Sequence, residues 1–176
     1  MLKLRHLARL RRKEVRDLKD RLTANFGCEA FPDEDLVEGA EVGDGKTALI
    51  VGGRIVGLVV IGEPVLTVRG MLLWPVSKRW VTVDMGAVPF VYNGADIMAP
   101  GIVDAERTIA VGDLVWVRDE KNLRPLAVGS TLMTGEEMAV AEKGKAIRAL
   151  HHVGDDLWKY GDVEPAPPKP EDEAKP

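Results

Sequence analysis

The sequence predicts an α+β protein of two domains: an α+β domain at residues 1–76 and a small β-barrel at residues 77–161. Three observations support this prediction. A basic amphipathic segment begins the chain, short β-rich runs separated by glycine turns follow it, and residues 162–176 combine prolines with acidic side chains. With 176 residues, 45% of them hydrophobic, the chain could form one domain or two small ones that share an interface.

The N-terminal segment carries most of the basic charge. Residues 1–21 contain nine Lys or Arg and three acids, whereas the whole chain has a formal charge of −4. At about 100° per residue, apolar side chains gather on one side and basic ones, including Arg12 and Arg16, on the other. Arg11 falls within the apolar side, so we expect an extended arm first and a helix from about Arg12. A solvated surface helix is the simpler interpretation, and a contact with RNA is the functional one.

The rest of the first domain follows from its turn residues. Gly27 suits the left-handed conformation that ends a helix. An acidic linking segment follows, and a short helix is expected from Gly70 to Trp74 because Pro75 disfavours its continuation. A hairpin turn is expected at Gly52-Gly53. The predicted strands of this domain occupy residues 46–51, 54–61 and 65–68.

The second domain shows alternating β patterns separated by turn residues such as Asn93-Gly94. Thr134 and Glu137 have the spacing of a capping box, which predicts a helix after Thr134. We expect residues 162–176 to form a disordered tail, since prolines and charges leave little to bury. The predicted strands of this domain occupy residues 80–92, 113–118, 125–133, 146–153 and 157–160.

No group of residues has the pattern of a catalytic or metal site. Cys28 is the only cysteine, and His151 and His152 would point to opposite faces of a strand, so they cannot share a metal in the usual way. Asp155-Asp156 fits a tight turn before a strand better than an acid pair. Lys46-Thr47 follows a glycine but lacks the earlier glycine and the following helix of a phosphate-binding loop. We expect no catalytic residue, no cofactor and no metal.

The hydrophobic runs are short. None approaches the roughly 20 residues that span a bilayer, and the first leucines alternate with Arg and Lys, unlike a signal peptide. A helix lying on a membrane is disfavoured because its polar face also carries acids. We expect a soluble protein of the cytoplasm with no membrane partner.

Several basic residues outside the first helix could contact RNA. Lys and Arg neutralise phosphates, and glycines let a nucleic-acid backbone approach peptide N–H groups. Such contacts position an RNA without reading its bases. The candidates are Lys78, Arg79, Lys143 and Lys145, together with the glycine-containing turn after Tyr92.

Four motifs in order resemble the PUA domain, an RNA-binding fold named after pseudouridine synthase and archaeosine transglycosylase. They are VDMGAVPFVYNGADIMAPGIV, VGDLVWVRDE, PLAVGSTLMTGEEM and GKAIRALHHVGDDLW, and together they cover nearly half of the chain. The preceding residues, with TVRGMLLWP, resemble the pre-PUA domain of the malignant T-cell amplified and ligatin-type translation factors, especially their archaeal single-chain relatives.

The resemblance implies a pre-PUA α+β domain followed by a PUA pseudobarrel of about six strands with two helices. It also implies that RNA contacts the first helix, its loop and an adjoining region. In this sequence the helix and loop would be Gly94–Gly101, and the adjoining region would include Lys143 and Lys145. The resulting candidate contacts are Gly94, Ala95, Asp96, Met98, Pro100, Gly101, Lys143 and Lys145.

We therefore expect a non-enzymatic RNA-binding protein in a translation-related role. The resemblance implies tRNA or rRNA as the ligand, with the small ribosomal subunit and an initiation-factor-like protein as partners. The alternative is an accessory RNA-binding subunit for a modification enzyme, such as a tRNA-guanine transglycosylase or a pseudouridine synthase. A small enzyme has no supporting group of residues. A protein-interaction scaffold is a further alternative, which the absence of bound nucleic acid in a purified sample at low salt would favour.

Overall fold

The computed structural model describes residues 2–162 and contains two antiparallel-rich sheets. The predicted disordered tail lies outside the described residues except for Asp162. The elements of the first half are β1 (Arg5–Arg9), α1 (Arg12–Phe26), a 3-10 turn (Glu34–Leu36), β2 (Glu38–Glu41), β3 (Thr47–Val51), β4 (Arg54–Val60), β5 (Glu63–Leu66) and α2 (Val68–Leu73).

These five strands form one sheet in which neighbours in sequence are hydrogen-bonded neighbours in space, in the order β1-β2-β3-β4-β5. Helix α1 begins at Arg12, as predicted, and buries Val15, Leu18, Leu22 and Phe26, which recur every three or four residues. Gly27 ends the helix at a φ of 65°. The extended arm is strand β1, which pairs with β2. Strand β2 was not predicted, because its EGAE sequence has no apolar alternation.

The second half forms a curled, barrel-like sheet in the order β7-β11-β10-β9-β6-β8, where β6 and β9 run parallel. The predicted capping box of Thr134 and Glu137 is present at the start of α4. The elements are β6 (Trp80–Val83), α3 (Val88–Tyr92), β7 (Ile97–Met98), a 3-10 turn (Ala99–Gly101), β8 (Ile102–Ala105), β9 (Leu114–Asp119), β10 (Pro125–Thr131), α4 (Gly135–Val140), β11 (Lys145–His152) and α5 (Asp156–Lys159).

Three element predictions in this half were wrong. The strand predicted at residues 80–92 ends at Val83, and its second part is helix α3. Pro89 fits the first turn of that helix, since its fixed φ is already helical. The strand predicted at residues 157–160 is helix α5, whose first turn is capped by the Asp155 side chain accepting from the Trp158 N–H at 2.9 Å. The helix expected within Gly94–Gly101 is instead a loop, β7 and a 3-10 turn.

The two halves share a hydrophobic core. Leu114 and Trp116 of β9 and Leu157 of α5 pack in the same buried cluster as α1 and the first sheet. His151 is 1% exposed and joins the halves. Its Nε2 accepts a hydrogen bond from the Val68 N–H at 3.1 Å, and its Nδ1 lies 2.8 Å from an oxygen of Asp155. The halves are therefore held together by packing and by directed hydrogen bonds. The domain boundary at residues 76/77 stays a prediction.

Candidate nucleic-acid interface

The edge of the barrel brings together two segments that are more than 40 residues apart in the sequence. Met98 pairs with Lys145 and Ile97 with Ile147 in the antiparallel β7–β11 ladder. Beyond the ladder, the Ala99 N–H donates to the Gly144 carbonyl at 2.8 Å. The predicted contacts in Gly94–Gly101 and those at residues 143–145 therefore lie on one continuous surface, which we call the α3–β7 face.

Helix α3 and its turn give this face its shape. Val88 and Val91, three residues apart, are buried, whereas Phe90 and Tyr92 point outward with exposed fractions of 66% and 46%. Gly94 follows at a φ of 81°, where a side chain is strained. A Cβ atom at Gly94 would also lie 3.0 Å from Nε2 of His152. The glycine thus lets the chain turn tightly against β11.

Asp96 and Lys145 form an ion pair at the centre of the face. The Asp96 carboxylate accepts from the Ala149 N–H at 2.8 Å and lies 2.8 Å from the Lys145 ammonium. The hydrogen bond from Lys145, then that from Ala149, lowers the pKa of Asp96, and the charges of Lys145 and Arg148 contribute in the same direction. Asp96 is therefore an anion that positions Lys145 and offsets part of its charge.

A hollow of about 330 Å³ lies between α3 and the 3-10 turn. Its walls include Phe90, Met98, Pro100 and Gly101, and Met98 is 47% exposed. Exposed aromatic and apolar side chains beside cations suit an unpaired nucleobase, because every base has a face that stacks on them. Ala95 and Lys143 do not line this hollow but are exposed.

Phe90 and Tyr92 were not among the predicted contacts. In the expected strand at residues 80–92, alternation would have placed Val88 on the same face as Phe90 and Tyr92. That pattern does not show that Val88 is buried whereas the two aromatic side chains are exposed. The available signal was the i, i+3 spacing of Val88 and Val91 together with Pro89, which fits a short helix that buries its valines.

Lys78 and Arg79 lie at the other end of β6 from this face. Arg79 donates its backbone N–H to Glu106, whereas the Asp84 N–H donates to Gly101. The five steps along the chain from Arg79 to Asp84 cover about 16 Å at 3.3 Å per residue. These two predicted contacts are thus on a separate surface.

Both residues have structural contacts at the junction of the two halves. The Lys78 ammonium donates to the Ala24 carbonyl at 3.3 Å, near the C-terminal end of α1, where a cation complements the helix dipole. Arg79 places its guanidinium 5.5 Å from the Phe26 ring centre and 3.7 Å from an Asp113 oxygen. These contacts account for both cations without a ligand.

The basic charge of α1 is offset by the acidic segment that was predicted only as a linker. Arg12 forms a two-point ion pair with Asp35, in which Nε and a terminal nitrogen each donate to one carboxylate oxygen, the latter at 2.6 Å. Arg16 lies 2.9 Å from Glu34. The hydrogen bond from Arg12 lowers the pKa of Asp35. The prediction that Arg12 and Arg16 contact RNA stays a prediction, but their charges are already paired.

Within residues 2–162 the structure brings together no group of three His, Cys, Asp or Glu side chains able to hold a metal. Burial raises the pKa of the Cys28 thiol, which keeps it protonated. Over the same residues, every helix is too short or too polar to cross a bilayer.

Comparison with known proteins gives consistent matches. Residues 79–153 match the family model described as the PUA domain. The uncharacterized protein MJ1432 of Methanocaldococcus jannaschii is 39% identical over 153 residues, which are 86% of this chain and 94% of that protein. Translation machinery-associated protein 20 of Saccharomyces cerevisiae is 29% identical over 138 residues, 75% of this chain and 76% of that protein. Malignant T-cell-amplified sequence 2 of Homo sapiens is 34% identical over 95 residues, 52% of each chain.

The fold is also found among solved structures. The hypothetical protein PH0734.1 from Pyrococcus horikoshii OT3 superposes with a TM-score of 0.73 and 33% identity, over 87% of this chain and 98% of that one. The similarity therefore extends over both halves of the molecule and is not confined to the barrel.

Proposed function

This chain belongs to the PUA-domain proteins related to translation machinery-associated protein 20 and the malignant T-cell-amplified sequences, and from that membership we propose where and how it binds RNA. Its role is RNA binding in translation. In our proposal, the α3–β7 face holds an unpaired end or loop of a structured RNA, either a tRNA or an rRNA.

One observation supports the proposal: in the β7–β11 ladder Lys145 pairs with Met98, which lines the hollow together with Phe90, and Lys143 is two residues away in the sequence. An unpaired base stacks on an exposed aromatic ring, and the following phosphates meet the ammonium groups. Exposed backbone around Gly94 and Gly101 allows the sugar-phosphate chain to approach closely. The face thus combines stacking with charge, which is how proteins hold single-stranded nucleic acid.

The expected ligand is structured RNA with a single-stranded end, because the face is small. A hollow of about 330 Å³ is far smaller than a folded RNA, so the rest of the RNA must lie against other surfaces. The proposal includes a non-enzymatic role in the cytoplasm, with the small ribosomal subunit and an initiation-factor-like protein as partners. The alternative of an accessory subunit for a modification enzyme is not favoured by the relatives that match most of the chain.

Direct binding measurements test the proposal. A fluorescently labelled RNA hairpin with a single-stranded 3′ end is titrated with the full chain at several salt concentrations. We expect Lys143→Gln with Lys145→Gln to reduce the magnitude of the slope of log affinity against log salt by up to about 1.4. Each phosphate contact on a single strand contributes about 0.7, and the ion pair with Asp96 offsets part of the Lys145 contribution.

The matched control removes two positive charges from α1 as Arg12→Gln with Arg16→Gln. Because both arginines are paired with acids, this variant should bind RNA with nearly the wild-type slope. A larger loss of RNA affinity in the Arg12/Arg16 variant than in the Lys143/Lys145 variant would move the RNA site to the first helix and contradict the proposal.

A further inference from the structure

A second hollow, distinct from the α3–β7 face, lies between the two halves of the molecule. It measures about 570 Å³ and opens between the β2–β3 and β4–β5 turns on one side and the outer surface of the barrel on the other. The barrel contributes Leu114, Ser130, Arg148 and Leu150. We call this hollow the interdomain cleft.

Two cations face this cleft from opposite sides. Lys46 directly precedes β3 of the first sheet, and Arg148 comes from the middle of β11. Among the described residues, neither has a carboxylate oxygen within 4.0 Å of its charged nitrogens. Of the two acids that line the cleft, Glu63 is paired with Arg21 at 3.0 Å, which leaves Asp44 as the opposing charge. The cleft is therefore net basic.

The wall of the cleft also has an apolar part, and one residue of it is strained. Ile61 lies at the tip of the β4–β5 turn with a φ of 49° and is 94% exposed. A β-branched residue in the left-handed region costs roughly 1–3 kcal/mol, which glycine or asparagine at this position would reduce. The Ile61 side chain is therefore exposed to any ligand that enters the cleft.

Strand β11 contributes to both surfaces: Lys145 pairs with Met98 on the α3–β7 face, and Arg148 lines the cleft. Lys145 begins the strand and Arg148 lies three residues further on, a distance of about 10 Å at 3.3 Å per residue. Arg148 is also close enough to Asp96 to contribute to the lowering of its pKa. A nucleic-acid backbone that leaves Lys145 along β11 therefore reaches Arg148 next and then Lys46 across the cleft.

We propose that the interdomain cleft is a second contact for the same RNA, in which Arg148 and Lys46 each neutralise a backbone phosphate and Ile61 packs against a nucleotide. This inference rests on the proposed function of the α3–β7 face and extends the RNA path to the first domain. The relative position of the two halves, fixed by their shared core, then sets which RNA shapes reach both contacts.

The test compares three double variants of the full chain on one labelled probe, the hairpin RNA with a single-stranded 3′ end. The first is Lys46→Gln with Arg148→Gln, in the cleft. The second is Lys143→Gln with Lys145→Gln, on the α3–β7 face. The matched control, Lys13→Gln with Lys159→Gln, removes two exposed cations that line neither surface. Thermal unfolding of each variant checks that it is folded.

We expect the cleft variant to reduce the magnitude of the salt slope by about 1.4 and to lower the affinity near 0.1 M salt by roughly 25-fold. The control variant should bind as the wild type does. If only the face variant loses affinity, the cleft inference is wrong, the proposed function stands and the cleft is left to a protein partner. If neither variant differs from the control, the proposed function fails as well. A loss in the cleft variant alone would overturn the continuous path from Lys145.

Discussion

Replacing Asp96 with asparagine should increase the affinity for RNA. Asp96 is an anion in the middle of the α3–β7 face, 2.8 Å from the Lys145 ammonium. Asparagine keeps an oxygen that can accept from the Ala149 N–H, so the turn should hold its shape. The negative charge, however, is lost, and Lys145 becomes available to a phosphate.

The size of the gain follows from counterion release. One full phosphate contact on a single strand contributes about 0.7 to the magnitude of the salt slope, which near 0.1 M salt corresponds to roughly fivefold in affinity, or about 1 kcal/mol. Because Asp96 offsets only part of the Lys145 charge, this value is the upper limit of the gain. Fluorescence anisotropy with the labelled hairpin RNA at several salt concentrations measures both quantities. Asp17→Asn is the matched control, because it removes a similarly ion-paired carboxylate on α1.

The predicted sign makes this variant informative. If Asp96 acted only by holding the structure together, its replacement would weaken binding or leave it unchanged. Weaker RNA binding by a folded Asp96→Asn variant would therefore refute the argument that Lys145 is a phosphate contact restrained by its neighbour.

Three further predictions concern binding and stability. Phe90→Ala should weaken RNA binding by about 1–3 kcal/mol, the usual value of one stacked base, while the unfolding midpoint in urea stays unchanged because the ring is exposed. Ile61→Asn should raise the free energy of unfolding in urea by about 1 kcal/mol, since asparagine tolerates the left-handed conformation; a loss of stability would contradict the strain. Burial raises the pKa of Asp155, but hydrogen bonds from His151, His152 and Trp158 outweigh it, so the net shift is downward. Asp155→Asn should therefore be less stable than wild type at neutral pH. The difference should shrink below about pH 3.9, the ordinary pKa of Asp, and vanish as the pH falls through the lowered pKa of Asp155. An equal difference at all pH values would contradict this prediction.

Local sequence signals predicted those elements in which a single segment contains the decisive residues. The start of α1 at Arg12, its end at Gly27, the turn at Gly52-Gly53 and the capping box at Thr134 each depend on residues within a few positions. Family membership was likewise carried by short motifs and is confirmed by the relatives.

Errors arose where a short apolar segment fits both a strand and a helix. The VPFVY sequence of α3 has β-branched and aromatic residues that favour a strand, and only its packing distinguishes the buried valines from the exposed Phe90. At α5, the carboxylate of Asp155 caps a helix and also binds His151, which no local pattern shows.

The sequence named candidate contacts but could not give their arrangement in space. The sequence indicated both Gly94–Gly101 and Lys143–Lys145, but their adjacency depends on the β7–β11 register. In the same way, net charge could not show that Asp35 and Glu34 neutralise Arg12 and Arg16, or that Lys78 binds the end of α1. Charges that are distant in sequence became informative only once their partners in space were known.

The most direct test of the central claim is ultraviolet crosslinking of the full chain to its bound RNA, followed by mass-spectrometric identification of the modified peptides. We expect crosslinks within residues 86–101 and 141–150, with Phe90 as the main adduct. Crosslinks confined to β1 and α1, with none on the barrel, would contradict RNA binding at the α3–β7 face.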